Sequence, residues 1–180
     1  MAIAANIIIV ILEAVGLTLS ARRRGWKLLV FYTQLSNIAA LLSSVLFLLT
    51  GGRAAGPRYV SSCMLVMTFL VTVGVLIPMG ADFKKMMLTS SGLYHHTLCP
   101  ILSVASYLLW EPHAGPWPVP VILTFAYGML MLWLNWRGKV DGPYPFFKVR
   151  QQSAPETVVW MAALTGVIAL IALAVASIAA

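Results

Sequence analysis

The stretch LYHHTLCPILSVASYLLW, residues 93–110, decides the fold. It holds no Asp, Glu, Lys or Arg, and as a helix it approaches the thickness of a bilayer's hydrocarbon core. Two histidines stand near its start. An ionisable side chain in such a run is costly in lipid and by default marks a working site. Continuing at helical spacing from His96, one face collects Gly92, Cys99, Ser103, Ser106 and Tyr107, whereas the face through His95 collects Leu98, Leu102 and Leu109. Small and polar residues are what membrane helices turn toward one another. The pattern predicts His96 inside a bundle, with His95 facing lipid or snorkelling toward the headgroups.

Outward from this run, the chain repeats the theme. Of 180 residues 61% are hydrophobic and 9% charged, against roughly 25% charged in soluble domains. Apolar runs fall at about residues 2–20, 28–50, 59–79, 93–110, 119–136 and 158–180, separated by short polar or Pro/Gly-rich loops. The expectation is an all-α, polytopic membrane protein: one domain over 1–180, a bundle of six transmembrane helices. The first run has no positive segment before it and its basic cluster follows, so it reads as a retained helix and not a cleaved signal peptide.

The net charge of +7 resolves into topology. Arg22, Arg23, Arg24 and Lys27 follow the first run, Lys84 and Lys85 the third, and Arg137, Lys139, Lys148 and Arg150 the fifth; the other two loops hold only Arg53 and Arg58. The positive-inside rule places the odd loops in the cytoplasm and both termini outside. Nucleic acid is not an expected partner, because no basic segment is interleaved with exposed aromatics. Membrane lipid is.

Cys63 and Cys99 fall at different depths and read as buried small hydrophobes, not as a disulfide. Adjacent histidines on a helix diverge by about 100° and His113 falls on the opposite side of the membrane, so neither a metal nor a haem is expected.

The second run carries the other chemistry. Thr33, Asn37, Ala40 and Ser44 share a face, with Ser36 and Ser43 beside them. Interhelical packing alone explains most such residues. Thr33 differs by depth: counted from Leu28 it lies about 8 Å into the bilayer on the basic side, and His96, counted from Leu93, about 5 Å. Glu13, Thr72 and Asn135 belong to the same half. Glu13 is too deep to snorkel and should be protonated or paired, either in a packing hydrogen bond or in orienting the histidine. A hydroxyl, a histidine and an acid are the components of nucleophilic acyl transfer, and also of a structural polar cluster.

Three segments, GWKLLVFYTQLSN, HHTLCP and NWRGKVDGPYPFFKV, stand in that order over residues 26 to 150. In this set the chain resembles the androgen-induced-gene and ADTRP family of multispanning membrane proteins, especially its shorter bacterial relatives. The resemblance implies a hydrolase in a bacterial cell membrane that cleaves lipid esters, such as fatty acid esters of hydroxy fatty acids, with a threonine nucleophile and a histidine base and without a cofactor. The threonine falls on Thr33. Animal members place the histidine five residues before the proline, matching His95; the bacterial pattern places it four before, matching His96, which the helical face also favours. Asn37 or Gln34 would donate to the oxyanion. Pro100 removes a backbone donor and should bend the helix around His96. Tyr144, Pro145, Phe146 and Phe147 read as an interfacial anchor that caps the inner end of the bundle, with no catalytic role indicated. A non-catalytic lipid-binding or small-solute transport protein would use the same polar cavity, although no internal repeat of the kind transporters carry is evident.

Overall fold

The structure, a computed structural model, describes residues 1–112 and 115–178; His113, expected on the side opposite the other two histidines, and the end of the last run at Ala180 lie outside them. Among the described residues there are seven α-helices: α1 Ala2–Arg24, α2 Tyr32–Leu49, α3 Ala55–Val71, α4 Ser90–Leu93, α5 Cys99–Trp110, α6 Pro118–Trp136 and α7 Ala154–Ile178. Five helical segments among the described residues are long and apolar enough to cross a membrane: Ala2–Val30, Tyr32–Leu49, Ala55–Leu76, Pro118–Trp136 and Ala154–Ile178. The sixth expected span is divided. Its helix runs as α4, a wide π turn over Tyr94–Leu98, and α5.

The division has a local cause. Pro100 has no N–H to close an ordinary turn, and the amide of Cys99 reaches back five residues to the carbonyl of Tyr94. The inserted residue rotates the chain so that both histidines point inward, with His95 1% and His96 7% exposed. The outward placement of His95 is therefore corrected. It assumed 3.6 residues per turn through a segment that does not keep that period. Beyond the π turn the expected faces hold: Cys99, Ser103, Ser106 and Tyr107 are buried, and Leu109 is 66% exposed.

Helix boundaries also move. Helix α1 continues past Ser20 to Arg24, whose last turn of arginines complements the negative helix end, and stops at Gly25 with φ +53°. A 3₁₀ segment over Gly25–Val30 follows, and extended Phe31 (φ −92°, ψ 128°) precedes α2. Thr33 is thus in the first turn of α2, not five residues into it as the count from Leu28 assumed. Helix α3 begins at Ala55, which turns Arg58 from a loop charge into a fully buried helical residue.

Helix α3 is the hub. It packs against α2, α5, α6 and α7, while α1 packs against α2 and α5. Buried Leu164, Ile168, Ile171, Ala172 and Val175 seat α7, and the Tyr59 hydroxyl donates to the Ala172 carbonyl at 2.7 Å. Helix α7 starts at a capping box, in which the Ser153 amide donates to Glu156 at 2.7 Å and the Glu156 amide donates back to the Ser153 hydroxyl. The outer faces are apolar, with Leu42, Leu49, Ile101, Ile122, Val158 and Leu170 all exposed. This surface suits lipid, not water.

Candidate functional site

At the basic end of the bundle the loops after α1, α3 and α6 enclose a cavity of about 780 Å³. Thr33, Gln34, His95, His96 and Tyr144 line it, with Arg23, Arg24 and Lys85 at its wall. A second, narrow chamber of about 40 Å³ lies deeper, with almost wholly apolar walls that include Met67, Leu76, Phe146, Phe147, Met161 and Leu164. Thr33, Leu76 and Tyr144 line both spaces.

The start of α2 shapes the surroundings of Thr33. The first amides of a helix lack partners within it. Here the Tyr32 amide donates to the Tyr127 hydroxyl at 3.0 Å and the Thr33 amide to the Tyr144 hydroxyl at 3.2 Å. The Thr33 Oγ1 also meets the Tyr144 hydroxyl, at 3.1 Å. Tyr144 is buried, stacked on Phe146 with centroids 5.2 Å apart and edge-on to Phe31. The YPFF segment is therefore no surface anchor: Tyr144, Phe146 and Phe147 are core residues, and only Pro145 is exposed. The reading as an anchor failed because a run of aromatics beside a basic loop looks the same in sequence whether it folds over the headgroups or back into the bundle.

His96 is oriented by a chain of hydroxyls. The Thr72 Oγ1 donates its single proton to the Thr68 carbonyl at 2.8 Å, so at its 2.8 Å contact with His96 Nδ1 it must accept. His96 accordingly carries its proton on Nδ1 and keeps a lone pair on Nε2, the tautomer that a general base requires. Thr68 in turn meets Ser36 at 2.9 Å, linking α3 to α2.

His95 belongs to a different set. Its Nε2 meets Ser20 Oγ at 3.0 Å, and its Nδ1 stands 3.9 Å from Glu13 Oε2. Gly16 makes room for the ring: a Cβ there would sit 2.8 Å from His95 Cε1 and 2.8 Å from Tyr94 Cβ. The acid anticipated beside the histidine is thus present, but beside His95 and not His96. Neither oxygen of buried Glu13 has a well-formed hydrogen bond among the described residues, although the Cys99 thiol lies close enough to interact with it. A buried polar group without a partner costs stability. Glu13→Leu is expected to melt in detergent at the same temperature as the parent or higher, and Glu13→Gln no higher than Glu13→Leu. A drop of more than about 1 kcal/mol for Glu13→Leu alone would reveal a partner.

Asn37 does not face the site. Its amide nitrogen donates back to the Thr33 carbonyl at 2.6 Å and the residue lines neither space, so its assignment to the oxyanion is corrected. Gln34 does line the cavity. Asn135 binds the Val140 carbonyl at 3.0 Å and belongs to the following turn. Cys63 and Cys99 are buried free thiols. Among the described residues no group of three or more His, Cys, Asp or Glu side chains is placed to hold a metal ion.

The sequence reading missed a buried ion pair at the opposite end. Arg58 Nε donates to Glu111 Oε2 at 3.0 Å, and Glu111 Oε1 also accepts from Asn6 at 2.9 Å and Ser106 at 2.6 Å. Arg58 Nη1 reaches Ser103 Oγ at 3.1 Å. The available signal was the pairing itself: one arginine and one glutamate stand at the edges of adjacent apolar runs on the side poor in charge. No protein-family model, curated protein or solved structure matches this chain.

Proposed function

We propose that this chain is an intramembrane hydrolase of lipid esters, with Thr33 as nucleophile and His96 as general base. The observation that carries the reading is the place of Thr33, which lines both the apolar chamber and the basic cavity that holds His96. The acyl chain lies in the chamber, which widens as the flexible side chains of Met67 and Met161 move. Tyr32 and Tyr127 line this chamber and also a groove of about 650 Å³ beside α2, α3 and α6, which gives the chain a lateral route from lipid.

As the Thr33 Oγ1–carbon bond forms, the hydroxyl proton passes to His96 Nε2. Tyr144 donates to the developing alkoxide, and the positive end of α2 faces the oxyanion. The ester C–O bond breaks and the alcohol leaves with the proton from His96. Water, deprotonated by the same nitrogen, then releases the acid and restores Thr33. The resemblance to the androgen-induced-gene and ADTRP family supports the same assignment and points to fatty acid esters of hydroxy fatty acids. A non-catalytic lipid-binding protein is the second reading, favoured by the bond of Thr33 Oγ1 to Tyr144 instead of to a histidine.

A fluorophosphonate probe separates the two. The expected result is a covalent adduct on the tryptic peptide that begins at Leu28 and contains Thr33; a protein hydrolysing long-chain esters with no adduct there would exclude the mechanism. The charge distribution further supports an orientation with the basic ends in the cytoplasm and both termini outside. A reporter fused after Ala180 should read as non-cytoplasmic and one inserted between Arg137 and Arg150 as cytoplasmic; the reverse pattern would invert the orientation.

A further inference from the structure

Helix α1 presents Glu13, Gly16 and Ser20 at intervals of three and four residues, all buried on one face, and His95 seats its ring against that stripe. Gly16, lacking a Cβ, permits the approach. The result is an ordered series: Ser20 Oγ at 3.0 Å from Nε2, then the ring, then Glu13 Oε2 at 3.9 Å from Nδ1. The carboxylate separation is about 1 Å longer than a hydrogen bond, and such contacts often tighten only when substrate is bound. With Nδ1 turned to the acid, the favoured tautomer carries its proton there, leaving Nε2 to accept from Ser20. Both Ser20 and His95 line the basic cavity, and neither lines the apolar chamber. Packing does not explain Glu13, whose two oxygens are buried without well-formed hydrogen bonds among the described residues.

We infer that Ser20, His95 and Glu13 form a second acyl-transfer site in the same cavity, with Ser20 as nucleophile, His95 as base and Glu13 as the positioning residue for His95. Ser20 opens onto Arg23, Arg24 and Lys85 and not onto the chamber, so this site takes short-chain esters that carry an anionic group. The serine proton moves to His95 Nε2 as the Oγ–carbon bond forms, and it leaves with the alcohol as the ester C–O bond breaks. A water deprotonated by His95 then frees the acid and regenerates Ser20. The inference does not rest on Thr33.

The basic cluster makes the two sites separable by mass, because trypsin cuts at Arg22, Arg23, Arg24 and Lys27, between Ser20 and Thr33. In full-length Thr33→Ala, a fluorophosphonate adduct is expected on the peptide that ends at Arg22. Adding Ser20→Ala should remove that adduct and lower hydrolysis of 4-acetoxybenzoate by about a hundredfold. Methyl 4-acetoxybenzoate, which lacks the charge, should be turned over about threefold more slowly than 4-acetoxybenzoate by Thr33→Ala. Glu13→Gln should slow formation of the Ser20 adduct by about tenfold and Glu13→Asp should restore part of it, an effect that a purely structural role would not produce. Melting in detergent controls for folding, and His95→Asn provides an independent loss of the base. No adduct on the Arg22 peptide in either the parent or Thr33→Ala, or equal hydrolysis of 4-acetoxybenzoate with and without Ser20, overturns the inference whether or not Thr33 proves to be a nucleophile.

Discussion

Replacing Thr33 by alanine is expected to lower hydrolysis of a long-chain lipid ester by about a thousandfold or more, with little change in melting temperature. Alanine removes the aliphatic hydroxyl at the start of α2 that lines both the basic cavity and the apolar chamber. Stability changes little because the Thr33 side chain makes one hydrogen bond among the described residues, to a tyrosine that keeps its contact with the backbone amide of the same residue. Thr33→Ser should retain most activity, since it keeps the oxygen and loses a methyl group. His96→Ala should fall about as far as Thr33→Ala, and the double variant should be little worse than either single one, because nucleophile and base act as a unit. Tyr144→Phe should cost about 10- to 100-fold, as removal of one donor to developing negative charge does, without abolishing the Thr33 adduct. Undiminished long-chain hydrolysis in Thr33→Ala would reject the mechanism.

What could be read from the sequence divides along the line between periodic and non-periodic backbone. Where the helices keep 3.6 residues per turn, residue type alone assigns faces correctly, as with Ser103, Ser106 and Leu109 on α5. The same rule failed for His95 only five residues before the proline, because the π turn is a response to a missing amide whose size the sequence does not state. Thr33 could be chosen from its place on a polar stripe, but not its place in the first turn of α2, which depends on Phe31 adopting an extended backbone. That detail matters to the chemistry, since it brings the positive helix end to the nucleophile and turns the Thr33 amide to the Tyr144 hydroxyl. Tyr144 was out of reach for another reason. Its contact with Thr33 spans 111 residues, and no local pattern in YPFF distinguishes a segment that folds inward from one that lies on headgroups.

The largest loss of stability is expected at Arg58 and Glu111, at the far end of the bundle. Arg58 lies wholly within the protein, and its guanidinium is matched to a carboxylate, a serine hydroxyl and the Ser103 carbonyl. Arg58→Ala leaves the Glu111 charge buried with only Asn6 and Ser106 to hold it, and this should cost about 3–5 kcal/mol. Glu111→Ala strands the guanidinium and should cost about as much. The joint replacement Arg58→Met with Glu111→Leu removes both charges at similar volume, and it should melt above either single variant, because burying an ion pair gains little over well-packed apolar side chains. Together with the single variants Arg58→Met and Glu111→Leu it closes a cycle in which additivity would show that the two residues act independently, whereas recovery in the double variant would show that each matters mainly through the other. The network ties α1, α3 and α5 through Asn6, Arg58 and Ser103, whereas Thr33 and His96 lie at the basic end. Hydrolysis per folded molecule should therefore survive in the double variant. A loss there without loss of folding would mean that the position of α5, and with it that of the histidines, is set from the end where its charges are buried.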